Sequence, residues 1–274
     1  MTTGEWTKDE IEYAKANRFE NSYREIGKVL GRTRNAVMIK LNRLGLRLPE
    51  KYTFDKDFFE KIDSEEKAYW LGFIYADGYI SNETEFAIHL KQEDEKHLEK
   101  LNKALRGNMQ VKEFIKHLNV TDKDYKMCSL RVYSKKIVQD LKNKGVTRNK
   151  SLSIEFPKLR KPLIRHFIRG FFDGDGSIYL HKEKNHIRCK FTCASKIFVS
   201  ELNNILNSLK IRTYIINESK TNKSKQLGIT GKDSTKIFLE YIYDNSEIYL
   251  DRKYKFYYNN KNLLSYSYEG WNKK

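Results

Sequence analysis

The chain has only three cysteines, Cys128, Cys189 and Cys193, in 274 residues. So odd and small a number excludes a disulfide framework and points to a reducing, cytoplasmic setting, whether bacterial, phage or organellar. No apolar run approaches the ~20 residues that a membrane helix needs, so no membrane partner is expected. The opening MTTGEWTKDE is acidic and lacks an apolar core, which excludes a secretory signal at that point. Negative charge is also scarce: 53 Lys and Arg stand against 36 Asp and Glu, a net +17. The surplus is spread over the whole length, interleaved with 18 Tyr and 15 Phe. Such a surface suits a polyanion, and the interleaved aromatics favour nucleic acid over a membrane surface.

Helical spacing fills the first part of the chain. TKDEIEYAKANRF offers Thr7 as a cap, acids in the first turn, and Ile11, Ala14 and Phe19 on one side. SYREIGKVLG starts at the cap Ser22, would bury Ile26, Val29 and Leu30, and stops at Gly31. A third helix from Thr33 turns Val37, Leu41 and Leu44 inward and stops at Gly45. Two short helices joined at Gly31, the second opening on Arg32, Thr33, Arg34 and Asn35, form a helix-turn-helix pattern. Arg and Asn at that place suit guanine and adenine edges, with Lys40 and Arg43 further along the same helix as further contacts. With Trp6, the stretch resembles Myb/SANT-like and homeodomain-like tri-helical domains. Residues 1–48 are therefore expected to be a helix-turn-helix DNA-binding domain. Residues 49–63, with Pro49 and no clear periodicity, are expected to be a linker with at most a short helix of its own.

From Ser64 onward the chain repeats itself. Asp77 aligns with Asp175, Asp94 with Ser195, Leu130 with Leu227 and Lys150 with Lys253, at offsets of 98, 101, 97 and 103. Four matches in order at a near-constant offset mark an internal duplication, residues 64–157 and 158–274. Each copy reads helix, two strands, helix, two strands, helix. Phe86, Ile88 and Leu90 alternate with Ala87, His89 and Lys91. In the second copy Ile187, Cys189 and Phe191 alternate with His186, Arg188, Lys190 and Thr192. One face of each sheet would pack on helices and the other would be free to meet a polyanion. The fold class is thus α+β, two pseudo-symmetric repeats preceded by a small all-α domain.

The most informative stretches are WLGFIYADGYI at residues 70–80 and FIRGFFDGDGSI at residues 167–178. Both read as helices, with acids at the start of the first and Pro162 in the first turn of the second. Gly72 and Ala76 lie four apart, as do Gly170 and Gly174, a spacing that lets two helix backbones approach closely. Asp77 and Asp175 end these helices, at the negative end of each macrodipole, a placement unfavourable by about 0.3–1 kcal/mol. Pairing the helices brings the two anions together and raises that cost. A bound hard cation such as Mg²⁺ resolves both problems, and carboxylates with Mg²⁺ beneath a basic sheet suit metal-assisted phosphodiester hydrolysis.

The pair WLGFIYADG and IRGFFDGDG resembles the signature helices of the LAGLIDADG homing endonucleases in their single-chain, two-motif form, with similarity from about Ser64 to about Tyr258. The resemblance implies αββαββα repeats forming a DNA-binding saddle, double-strand cleavage with Mg²⁺ or Mn²⁺, and short 3′ overhangs. It implies that Asp77 and Asp175 are catalytic metal ligands, and that Ala76 and Gly174 lend backbone carbonyls to the metal. It further implies active-site lysines at Lys150, ahead of Pro157, and at Lys253, with Lys135 and Lys232 as second choices. Outward residues His89, Lys91, Arg131, Tyr133, Arg148, His186, Arg188, Lys190, Thr192 and Arg252 would contact double-stranded DNA. The earlier acid of the motif is Asp173 in the second copy but Tyr75 in the first, which raises a strand preference or nicking bias.

Other readings of the same residues fare less well. DGDGS suggests a calcium loop, but Ile178 stands where glycine is needed and Lys184 where glutamate is. His181, His186, Cys189 and Cys193 suggest zinc, but Cys189 and His186 fall on opposite strand faces. The absence of an amino-terminal Cys or Ser nucleophile and the ending EGWNKK argue against an intein and for an intron-encoded or free-standing reading frame. A monomer without an obligate protein partner is expected. The alternative is a non-cleaving binder on the same scaffold, an intron RNA maturase or a transcriptional regulator, with intron RNA as a second candidate partner.

Overall fold

The computed structural model describes residues 4–46, 52–119, 122–148, 150–181, 183, 185–217 and 224–264. Leu48, Pro49, Lys184 and the closing residues 265–274 lie outside the described residues. The chain divides into two compact units, Met1–Thr53 and Phe54–Lys274.

The first unit holds α1 (Lys8–Ala16), α2 (Tyr23–Leu30) and α3 (Arg34–Arg43). Thr7 with Glu10 and Ser22 with Glu25 form reciprocal capping boxes, and Thr33 caps α3. Gly31 takes the left-handed conformation that ends α2, at φ 65°. Ala14, Ile26, Val37 and Leu41 form the core, with Trp6, Tyr13, Tyr23, Leu30 and Leu46 packed around it. Three expected core residues are exposed instead: Phe19, Val29 and Leu44. Phe19 falls beyond the end of α1 and Leu44 beyond α3. On α2 the buried arc runs through Tyr23, Ile26, Gly27 and Leu30, leaving Val29 about 110° from its centre at 100° per residue.

The second unit begins earlier than the expected linker allows. Phe58 and Phe59 are buried, Phe59 lies edge-on to Phe86, and the Asp55 amide donates to the Leu105 carbonyl. Residues 54–63 are therefore part of the second unit's packing.

Its first repeat runs α4 (Glu65–Asp77), β1 (Gly78–Asn82), β2 (Glu85–Lys91), α5 (Glu95–Ala104), β3 (Lys112–Leu118), β4 (Lys123–Tyr133) and α6 (Lys135–Asn143). The second runs α7 (Lys161–Asp175), β5 (Gly176–His181), β6 (His186–Cys193), α8 (Lys196–Ser208), β7 (Thr213–Asn217), β8 (Lys225–Ile229) and α9 (Lys232–Tyr243), and adds α10 (Asp251–Asn259). Both sheets are antiparallel, ordered β1-β2-β4-β3 and β5-β6-β8-β7. Phe86, Ile88 and Leu90, and Ile187, Cys189 and Phe191, are buried as the alternation requires. The outward residues Lys91 and Arg131 are exposed, and His89, His186, Arg188, Lys190 and Thr192 half-buried. No helix among the described residues is long and apolar enough to cross a membrane.

The second unit is centred on α4 packed against α7. A Cβ added at Gly72 would overlap the Phe167 carbonyl, and one at Gly170 the Tyr69 carbonyl. Backbone therefore meets backbone at both glycines, which is the close approach their spacing predicts.

Candidate active site and nucleic-acid interface

The two motif helices end side by side. A Cβ at Gly174 would overlap that of Ala76 and would sit 3.1 Å from Asp77 Oδ2. Asp77 is half-buried and Asp175 more open. Burial, and then the like charge of Asp175, push the Asp77 carboxyl up to about 6. Asp175 is also raised by burial, against the opposing pull of Lys150 and Lys253. Two acids that resist ionising together form a site in want of positive charge.

Lys150 and Lys253 are both buried, each under the end of its own repeat's motif helix. Lys150 Nζ donates to the Tyr75 and Ala76 carbonyls, both at 2.7 Å. Lys253 Nζ reaches the carbonyls of Phe172 (2.7 Å), Asp173 (2.8 Å), Gly174 (3.3 Å) and Gly176. Each ammonium thus meets carbonyls at the end of its motif helix, of which Phe172 O also accepts from the Gly176 amide, and offsets the negative dipole end on which the acid sits. Burial lowers both lysines, Lys253 to about 8, while the acids pull them back up. The expectation that these lysines act chiefly on phosphate or water is thereby modified, because their nearest partners are backbone carbonyls. Of the second choices, Lys135 is exposed at the start of α6 and Lys232 opens α9.

Tyr75 and Asp173, the unequal position of the motif, are both buried. Asp173 accepts from Tyr69 Oη (2.8 Å), Tyr243 Oη (2.6 Å) and the Leu250 amide (2.8 Å). Tyr75 Oη donates to the Lys144 carbonyl. Tyr69 joins His97 Nε2 at 3.0 Å, and the buried Arg169 donates to the Ile248 and Ile242 carbonyls. This polar network beneath the acids was not legible in the sequence. Its signal is the density of Tyr, His and Arg within otherwise apolar helices.

Among the described residues no group of three or more His, Cys, Asp or Glu could hold a metal. Cys189 and Cys193 are buried, and the His181 and His186 rings stack 5.7 Å apart. A hard cation between Asp77 and Asp175 would complete its shell with carbonyl, water and phosphate oxygens, a donor set that Mg²⁺ or Mn²⁺ accepts.

Tyr133, at the end of β4, and Arg148, in the turn after α6, are exposed. Arg252 is bridged to Asp94 at 3.0 Å, tying α10 to the first repeat, while its side chain stays 49% exposed. Arg32, expected at a base edge, is buried. It pairs with Glu10 at 2.9 Å, donates to the Gly4 and Glu5 carbonyls and lies over Trp6. Thr33, Arg34, Asn35 and Arg43 remain exposed, and Lys40 half-buried.

Residues 162–243 match the LAGLIDADG-like domain family, and residues 66–144 the WhiA LAGLIDADG-like domain family. A segment of 129 residues is 32% identical to the replication factor C small subunit of Methanocaldococcus jannaschii, covering 45% of this chain and only 7% of that protein. The homing endonuclease I-WcaI, solved on its DNA recognition sequence, aligns at TM-score 0.53 with 18% identity, over 80% of this chain and 97% of that one, a likeness of fold. The N-terminal LAGLIDADG domain of WhiA aligns at TM-score 0.45 with 21% identity, over 73% of this chain and 96% of that one. The two family matches fall one on each repeat and together span more than half of the sequence, so the chain belongs to the LAGLIDADG family in its single-chain, two-motif form.

Proposed function

We propose that this protein is a site-specific DNA endonuclease that hydrolyses both strands of a long duplex site. The observation that carries the reading is the Asp77–Asp175 pair, held at abutting helix ends with raised carboxyl pKa values beneath two sheets with basic outward residues. Like charges so close together are costly to folding and have a chemical use only if a cation joins them.

Asp77 and Asp175 would hold the divalent ion, with the Ala76 and Gly174 carbonyls beside them, and the ion when bound would lower the pKa of water and screen the phosphate. Lys150 and Lys253 hold the helix ends that carry the acids, and their charge favours the ionised, metal-binding form. Lys150 directs two of its three N–H donors to carbonyls and keeps one for a phosphate oxygen or the attacking water. The cuts would straddle the minor groove and leave short 3′ overhangs. The first unit, through Arg34 and Asn35 at the start of α3, would extend the footprint on double-stranded DNA.

A second reading has one observation in its favour, the WhiA-type match over residues 66–144, and takes the chain as a non-cleaving regulator or an intron RNA maturase. Incubation with a randomised duplex library and Mg²⁺, followed by sequencing of new ends, separates the two. Discrete double-strand ends that vanish in Asp175→Asn support the nuclease. Selective retention of duplex without cutting supports the regulator.

A further inference from the structure

The repeats differ in the charged residues at one place on their outward faces. Strand pairing sets Ala87 opposite Arg131 in the first sheet and Lys190 opposite Gly228 in the second. Counted from the motif glycines, Gly78 pairs with Ile88 and Gly176 with Phe191, so these two pairs are equivalent. Glu85 in the first repeat therefore occupies the position of Arg188 in the second, Ala87 that of Lys190, and Arg131 that of Gly228.

The exchange has structural consequences. Glu85 and His89 flank Ala87 at two residues on either side, so both lie diagonal to Arg131 across the strand pair. The Arg131 guanidinium uses both. Nη1 donates to Glu85 Oε1 at 2.7 Å and Nη2 contacts His89 Nε2 at 3.5 Å. Glu85 is fixed in turn, its carboxylate accepting from Ser81 Oγ at 2.7 Å while its side chain is only 9% exposed. His89 is held by Tyr79 Oη at 2.9 Å and by the Phe114 ring. A guanidinium only donates, so its contact makes Nε2 the acceptor and leaves the His89 proton on Nδ1. Arg131 itself stays 41% exposed, ready to reach outward from a fixed base.

The second sheet has no such carboxylate at the equivalent place. Arg188 Nε leans on His186 Nε2 at 3.3 Å and Lys190 Nζ on Gln226 Oε1 at 3.2 Å, neither of them a carboxylate. The Tyr214 ring lies over Gly228, where any Cβ would collide with it, and fills the room that Arg131 takes in the first repeat.

Resting on the DNA-binding reading above, we infer that Glu85 is a positioning residue for sequence recognition: it orients Arg131 toward base edges in the first half-site, whereas Arg188 and Lys190 serve the second half-site as phosphate anchors. A carboxylate beside an arginine repels phosphate and leaves a fixed guanidinium for the two acceptors of a guanine edge. Cations with no carboxylate behind them keep their charge for phosphate and release counterions on binding. Discrimination is thus concentrated in the half-site under the first repeat, and salt-dependent affinity in the half-site under the second.

The test is binding selection from a randomised duplex library by the full chain, unaltered and as Glu85→Gln and Arg188→Gln, with a salt titration on the selected site. Gln keeps the shape of Glu85 and its bond to Ser81 but loses the charge that holds Arg131. Glu85→Gln is expected to flatten base preference at one or two first-half positions by about 5-fold or more, with affinity kept or raised. Arg188→Gln is expected to weaken binding to all sequences alike and to reduce the salt slope by about 1, leaving the preference profile intact. A merely structural Glu85 would lower the melting temperature without moving the profile. A site selected by the unaltered chain and kept with full preference by Glu85→Gln overturns the inference alone. No sequence preference in the unaltered chain removes the DNA-recognition reading and the inference together.

Discussion

Tyr75 and Asp173 stand at the same step of the two motif helices, and each ties its helix to the segment that precedes or carries the buried lysine. Tyr75 reaches the Lys144 carbonyl, six residues before Lys150, and Asp173 takes the Leu250 amide, three residues before Lys253. One repeat fastens through a donor to a carbonyl, the other through an acceptor to an amide. The difference between the halves therefore has a packing account, set one step back from the acids. Because Asp173 accepts three hydrogen bonds and Tyr75 donates one, the two positions should differ in cost. Asp173→Asn is expected to destabilise the second unit by about 3 kcal/mol, and Tyr75→Phe by about 1 kcal/mol, in denaturant titrations. Equal costs would show that the network around Asp173 does not act as a unit.

The acid pair sets a pH dependence whose sign is opposite to that of ordinary salt-bridged carboxylates. With Asp77 raised to about 6 from 3.8, the folded chain holds more protons than the unfolded one between those values. Stability from this group is therefore lost as pH rises from about 4 to about 6. Asp175→Asn removes the like charge, and at pH 7 without metal it should stabilise the chain by about 1 kcal/mol, a figure reduced for the open position of Asp175. A metal-free melting temperature that drops in Asp175→Asn would contradict the strain assigned to the pair.

The first unit responds to acid in the conventional direction. The Arg32 guanidinium beside Glu10 holds that carboxyl down at about 2, so the stability it lends is present at neutral pH and lost as pH falls from about 4.5 toward 2. Glu10→Gln should shift the acid unfolding of this unit to higher pH, read from amide signals of residues 8–43 in the full chain. An unchanged acid midpoint would mean that the pair does not hold α1 to the turn before α3.

The motif helices, their glycine contacts, both sheets and the place of Asp77 and Asp175 were legible because each follows from a local rule: period-two strands, small residues four apart, an acid before glycine. Val29 and Phe19 were misplaced because a short helix leaves its buried arc to be chosen by the partner helix. Arg32 was misread because an arginine at a helix start looks alike whether it faces a base or a carboxylate 22 residues earlier. The linker was misjudged because Phe58 and Phe59 are buried by distant residues, among them Phe86, rather than by any periodicity of their own. Glu85 carried a signal, an acid within an otherwise basic outward row, but its partner Arg131 lies 46 residues away.

The buried lysines differ in how completely they are engaged, and that difference predicts the last result. Lys253 faces four carbonyls with three hydrogens, whereas Lys150 is bonded to two. Replacing Lys253 by Met leaves the carbonyl end of α7 buried without its donor and is expected to cost about 3 kcal/mol, against about 2 kcal/mol for Lys150→Met. Since Lys253 is lowered to about 8, the unfolded chain holds more protons between about 8 and 10.5, and the stability linked to this group rises with pH across that window. Lys253→Met should therefore flatten the rise in stability above pH 8, a readout that a loss of packing alone would not move. For Lys150→Met the larger effect is expected on strand cleavage, at least about tenfold, because its remaining donor is the one free to meet developing charge. If both variants lose stability equally and cleave equally well, the lysines are caps alone and the chemistry belongs to the acids and their metal.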